Sequence, residues 1–98
     1  MTELLTIEHF RPHVGKHVRF RRTPYALTID RLEGGATPSS AGRARSPFVV
    51  IFRGPSKTDV MPAGLYECEI EDGPVYSLHV MPIYTPRPDR QEYQAAFN

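Results

Sequence analysis

Proline punctuates this chain from end to end. Pro24, Pro38, Pro47, Pro55, Pro62, Pro74, Pro86 and Pro88 fall between runs of alternating apolar and polar residues, Pro12 precedes the first run, and only Pro82 sits inside one. A ring that fixes φ and removes a backbone donor is excluded from helix interiors and from central strands. With ten prolines and seven glycines among 98 residues, the chain cannot build a helical bundle and is expected to form short strands joined by many turns. Its Pro and Gly together stay below the roughly 25–30% typical of low-complexity chains, so a packed fold is expected.

The runs between the prolines carry the period of two that marks half-buried strands. Lys16 to Arg22 sets Val18 and Phe20 against His17, Arg19 and Arg21. Tyr25 to Glu33 sets Tyr25, Leu27 and Ile29 against Thr28 and Asp30, and Leu32 falls off that alternation, which predicts a bulge or a strand end near Arg31. Phe48-Val49-Val50-Ile51-Phe52 is apolar on both faces, as in a strand covered on both sides. Leu65 to Glu71 turns Tyr66, Cys68 and Ile70 inward and Glu67, Glu69 and Glu71 outward. Asp72-Gly73-Pro74 then predicts a hairpin, and pairing Cys68 with Leu78 places Tyr76, Leu78 and Val80 inside. Tyr93, Ala95 and Phe97 form a last strand after a loop over 84–91. Ahead of the strands, Thr6 can cap one helical turn that Pro12 and Gly15 stop from extending.

The expected fold is therefore all-β with a minor helical part: a small antiparallel barrel or sandwich of about six strands, in one domain over residues 1–98. Val60 and Met61 are expected to tuck back under the connection 57–64. Residues 33–47 contain no apolar side chain larger than alanine, and a loop of that length and composition reads as mobile. No run of about 18 apolar residues is available to span a membrane. The N-terminal stretch lacks the basic and apolar regions of a signal peptide, and a single cysteine suits a reducing cytoplasm.

Candidate chemistry is sparse. His9, His13 and His17 are spaced by four, but Pro12 and Gly15 break the helix that would align them, and the predicted register separates His79 from Cys68. No metal site or cofactor is expected. Ser77 and His79 share a strand face without an orienting acid, and Cys68 occupies an inward position where a thiol acts as a small hydrophobe. No catalytic residue is expected, and the domain reads as a non-enzyme. A small-ligand barrel would require an interior cavity.

The charged residues are more informative. Residues 1–49 carry a net charge of +4 and residues 50–98 a net charge of −3. Arg19, Arg21 and Arg22 form a basic row around Phe20, and Glu67, Glu69 and Glu71 form an acidic one. If their strands are neighbours the two rows pair; if not, they offer a salt-sensitive contact to a protein partner or to a second copy. Arg43 and Arg45 in the 33–47 loop add charge that a partner could order. Together with strand edges open to pairing, these residues point to a structural or protein-interaction module of the kind that serves within a larger assembly. The alternative is weak binding of single-stranded nucleic acid by the basic strand 16–22, with Arg19 and Arg21 on phosphates, although the charge excess is small for that role.

Five stretches together carry a resemblance: Phe10 with Val14-Gly15; Phe48 through Pro55; Gly64-Leu65-Tyr66; Leu78 through Ile83; and Tyr93 through Asn98. They resemble an uncharacterised family of about hundred-residue bacterial β-rich domains, a domain of unknown function associated with genes for phage-tail-like or tail-collar-like proteins. The resemblance implies a compact β domain over nearly the whole length and supplies no activity.

Overall fold

The structure is a computed structural model that describes residues 5–34 and 47–97. Strands β1 (His17–Phe20), β2 (Ala26–Gly34) and β3 (Phe48–Gly54) form one antiparallel meander. Strands β4 (Gly64–Ile70), β5 (Val75–Ile83) and β6 (Gln91–Phe97) form a second. The meanders join along two seams, β1 against β4 and β3 against β6, and close a six-stranded barrel in the order β1-β2-β3-β6-β5-β4. Of the two architectures expected, the barrel is the one formed. Closure uses the outer margins of both meanders, so the open strand edges anticipated from the sequence are largely consumed inside the molecule.

Two consecutive 3-10 turns, Ile7–His9 and Arg11–His13, stand where one helical turn was expected. Thr6 begins the first; its backbone N–H donates to His9 Nδ1 at 3.0 Å. Pro12 sits in the second turn, where a missing N–H costs nothing. Gly15, at φ +92, then turns the chain, and its N–H donates to the Ile29 carbonyl at 2.8 Å. Phe10, fully buried, plugs this end of the barrel against Phe48 and Phe97, whose rings stack at 4.5 Å. Phe20, Phe52, Ile29, Met61 and Tyr93 fill the rest, and the Met61 N–H donates to Tyr93 Oη at 3.0 Å. Aromatic and aliphatic side chains thus occupy the interior, and the clefts described below lie on the outer surface.

The alternations set the inward positions correctly: Val18, Phe20, Leu27, Ile29, Cys68, Ile70, Leu78, Val80, Tyr93 and Ala95 are all buried. On β3, Phe48, Val50 and Phe52 join the interior cluster, Ile51 is buried outside that cluster and Val49 is half-buried. Met61 is buried and Val60 packs against the core, as the connection 57–64 predicted. The bulge is present on β2, where the pairing with β3 shifts between Ile29 and Arg31.

One pairing differs. Cys68 lies opposite Tyr76 and Tyr66 opposite Leu78, a two-residue offset from the expected Cys68–Leu78 pair. The turn is centred on Glu71-Asp72-Gly73, with Asp72 at φ +52, and Ile70 N–H bonds the carbonyl of Pro74 at 3.1 Å. Proline lacks a donor but keeps its acceptor, so Pro74 works as the first paired residue rather than the last loop residue. An even offset preserves which faces are buried. Pro82 opposes Tyr93 of β6, and lies two residues beyond Val80, the last β5 residue paired to β4. It therefore lies past the end of the β4–β5 pairing, at an edge-like position where a missing donor is tolerated.

Candidate functional site

The basic row of β1 and the acidic row of β4 meet along the first seam. Val18 opposes Ile70 and Arg19 opposes Glu69, so the alternating outward residues fall in register. Arg19 Nε donates to Glu69 Oε1 at 3.2 Å; Arg21 Nη1 donates to Glu67 Oε1 at 3.1 Å and its Nη2 to Glu69 Oε2 at 3.0 Å. Hydrogen bonds from Arg21 hold the Glu69 carboxyl below the usual carboxylate range. Glu71 accepts from the His17 backbone N–H at 3.4 Å. Arg19 is 72% exposed, and pairs of this kind contribute about 0–1 kcal/mol each. Arg19 and Arg21, the cations assigned to phosphates in a nucleic-acid reading, are thus engaged by this chain's own glutamates. Arg22 meets no carboxylate among the described residues.

The second seam carries a denser cluster that the strand patterns did not single out. Asp30 sits in the β2 bulge, where the shift in pairing brings it and Arg31 over the outer face toward β3 and β6. Asp30 accepts from Arg31 Nη1 and Arg53 Nη1, both at 2.7 Å, and from Arg90 Nη1 at 3.4 Å. Glu92 accepts from Arg31 Nη1 and Nη2 at 3.2 and 3.4 Å and from Arg90 Nη2. Arg31 Nε completes the set with Glu33 at 2.8 Å. The side chains of Asp30 and Glu92 are only 13% and 9% exposed. Burial alone would raise the Asp30 carboxyl; hydrogen bonds from Arg31 and Arg53, with the charge of Arg90, outweigh it and lower it. Hydrogen bonds from Arg31, opposed by burial and aided by Arg90, likewise lower Glu92.

This cluster also anchors the 84–90 loop. Thr85 Oγ1 accepts from the Glu92 N–H at 2.9 Å, and Lys57 Nζ donates to the carbonyls of Thr85 at 2.6 Å and Arg90 at 3.3 Å. A surface cleft of about 500 Å³ lies on one side of Arg90, lined by His17, Thr28, Arg53 and Asp89 among others. Another, lined by Arg31, Arg87 and Glu92, lies on the other side. Three guanidiniums face three carboxylates in the cluster, so its charges cancel; such a site braces strands and exerts little pull on an added anion. One sequence signal bore on it: the broken alternation at Leu32.

The other candidates are dispersed. His17 Nδ1 lies 3.2 Å from Thr28 Oγ1, His13 Nδ1 is buried without a partner, and His79 is exposed on β5. Among the described residues no group of three or more His, Cys, Asp or Glu is placed to hold a metal ion. Ser77 is exposed on β5, as His79 is. Burial pushes the Cys68 thiol up to about 12. Arg43 and Arg45 lie outside the described residues. Among the described residues no helix is long and apolar enough to cross a membrane.

Apolar side chains are left on the outer surface of the β4–β5 hairpin. Leu65 is 73% exposed, and Val75 and Met81 on β5 are also exposed; Tyr84 follows just after β5. Leu65 opposes His79, which places Met81 diagonally across the strand pair. Leu65 also lines a notch of about 340 Å³ with Arg21, Arg22, Thr23, Tyr66, Glu67 and Ser77.

The fold and its surfaces define a small, filled β-barrel domain whose two seams are stitched by ion pairs and whose β4–β5 hairpin carries three of the large exposed apolar residues, Val14 and Tyr84 lying elsewhere. The chain belongs to the family described as a domain of unknown function, DUF6916, which matches residues 5–97. No curated protein and no solved structure matches the chain.

Proposed function

We propose that this domain is a non-enzymatic protein-interaction module that docks through the outer face of its β4–β5 hairpin. The observation that carries the reading is the exposure of Leu65, Val75 and Met81 on one strand pair, in a molecule whose charge clusters are otherwise engaged internally. Large exposed apolar side chains grouped on one face mark sites of association. The likeness to domains linked with phage-tail and tail-collar genes fits a small bacterial component of a larger assembly, working in the cytoplasm. With Arg19 and Arg21 already paired, the contact draws on apolar burial more than on the basic row.

The test is in-cell crosslinking followed by affinity capture, comparing the wild-type chain with a Leu65→Ser, Met81→Ser double variant. Both positions are exposed, so the variant is expected to melt within a few degrees of wild type. A partner retained by the wild type and lost by the variant supports the reading. A wild-type chain that captures no partner, or a variant that retains all of them, rejects it.

A further inference from the structure

The turn between β1 and β2 holds an arginine where backbone energetics favour glycine. Thr23 N–H bonds the Phe20 carbonyl at 3.2 Å, closing a turn in which Arg22 takes φ +66. That left-handed conformation suits glycine and is uncommon for a residue that carries a Cβ. The turn is nevertheless firmly built, since Thr23 Oγ1 donates to the Phe20 carbonyl at 2.8 Å and accepts from the Tyr25 N–H at 3.0 Å. The backbone at Arg22 is thus held in place, and Arg22 and the exposed Leu65 line one notch.

The local charge count gives the notch its sign. Arg19 and Arg21 are matched by Glu69 and Glu67 through the bonds of the first seam. Arg22 remains as one surplus positive charge, with Glu67, the acidic group lining the notch, already held by Arg21. A planar guanidinium with free donors recognises a carboxylate in preference to a neutral amide. An exposed leucine next to it offers apolar surface to a neighbouring side chain.

We infer that this notch is the specificity point of the docking face: it receives a partner's peptide segment in which a carboxylate side chain stands beside an apolar one, the carboxylate on Arg22 and the apolar group on Leu65. The inference rests on the interaction-module reading and names the partner's chemistry at that face.

The experiment titrates the full chain against an array of fluorescein-labelled nonapeptides. In each, an aspartate or glutamate stands one or two residues from a single leucine, isoleucine or phenylalanine, and each is matched by its asparagine or glutamine analogue. Wild type is expected to favour a subset of the acidic peptides by about tenfold over their amide analogues at low salt, the ratio shrinking as salt rises. Arg22→Gly removes the guanidinium and relieves the left-handed strain, against the added freedom of glycine in the unfolded chain. It is expected to melt within a few degrees of wild type and to lose the acid preference, while Arg22→Lys keeps part of it. Leu65→Ser is expected to weaken acidic and amide peptides alike. Equal binding of acidic and amide peptides by wild type, or an undiminished preference in Arg22→Gly, overturns the inference. If a partner is captured in cells through Leu65 and Met81 while the array shows no acid preference, the notch assignment fails and the module reading stands; a wild-type chain that captures no partner removes the module reading itself.

Discussion

Arg31 and Glu92 lie 61 positions apart in the sequence, and their side chains meet through two hydrogen bonds of 3.2 and 3.4 Å. Arg31 belongs to the first meander and Glu92 to the second, so the pair crosses the β3–β6 seam without being part of its backbone ladder. Arg90 and Asp30 extend it on either side. Removing Glu92 would take from Arg31 and Arg90 the carboxylate they share. Glu92→Ala is expected to destabilise the domain by about 1–3 kcal/mol, since a mostly buried carboxylate and its charged hydrogen bonds are lost while Arg31 and Arg90 keep Asp30. Arg19→Ala, at the exposed seam, should cost less than about 1 kcal/mol. Urea denaturation of both variants checks the contrast; equal losses would contradict the distinction between the seams.

The same cluster sets an acid limit. Asp30 and Glu92 both have folded-state pKa values below their unfolded ones, so the folded state binds fewer protons in the carboxylate range. Their stabilisation is fully present above the unfolded values near pH 4 and is lost as pH falls through the folded ones. The melting temperature should stay level between about pH 7 and 5 and fall progressively below about pH 4. In Glu92→Gln the fall should be shallower, because one of the two titrating groups is gone. A midpoint of acid unfolding near neutrality would refute this assignment.

Cys68 offers a chemical readout of barrel integrity. Its thiol is buried between β1 and β5, and burial raises its pKa to about 12. At pH 8 the thiolate fraction in the folded protein is therefore negligible. A disulfide-exchange reagent should react at the rate of global opening and become fast in denaturant. Rapid labelling in native buffer would show that the barrel wall opens locally there.

β6 closes the barrel between β3 and β5, and its Tyr93 Oη accepts from the Met61 backbone N–H. Deleting residues 93–98 removes that closure and strips Phe48 of its stacking partner Phe97. The truncated chain is expected to lose cooperative thermal unfolding. A truncation that melts as sharply as the full chain would show that five strands suffice.

Much of the barrel was legible in local pattern. Alternation sorted inward from outward residues because a strand has a period of two, and the prolines and glycines marked where each strand stops. The break at Leu32 located the bulge for the same reason. The hairpin register came out two residues off because pattern reports the parity of a pairing; its offset depends on whether Pro74 serves as loop or as ladder acceptor. The charged rows of β1 and β4 were visible as rows, and their pairing was conditional on the strands being neighbours. Beyond the broken alternation at Leu32, the Asp30, Arg31, Arg53, Arg90 and Glu92 cluster had no local signature, since its members come from three separate stretches.

By itself, then, the sequence determined an all-β chain, its turns, and the residues that face inward, because these follow from the short-range geometry of the backbone. Only the tertiary structure decided which strands meet. That choice set the basic row of β1 against the acidic row of β4 in one seam, gathered a balanced cluster of charges at the other, and left Arg22 and Leu65 offering charge and apolar surface at one notch. The physical reason is that salt bridges and barrel closure depend on distances between residues far apart along the chain, and those distances exist only once the barrel has closed.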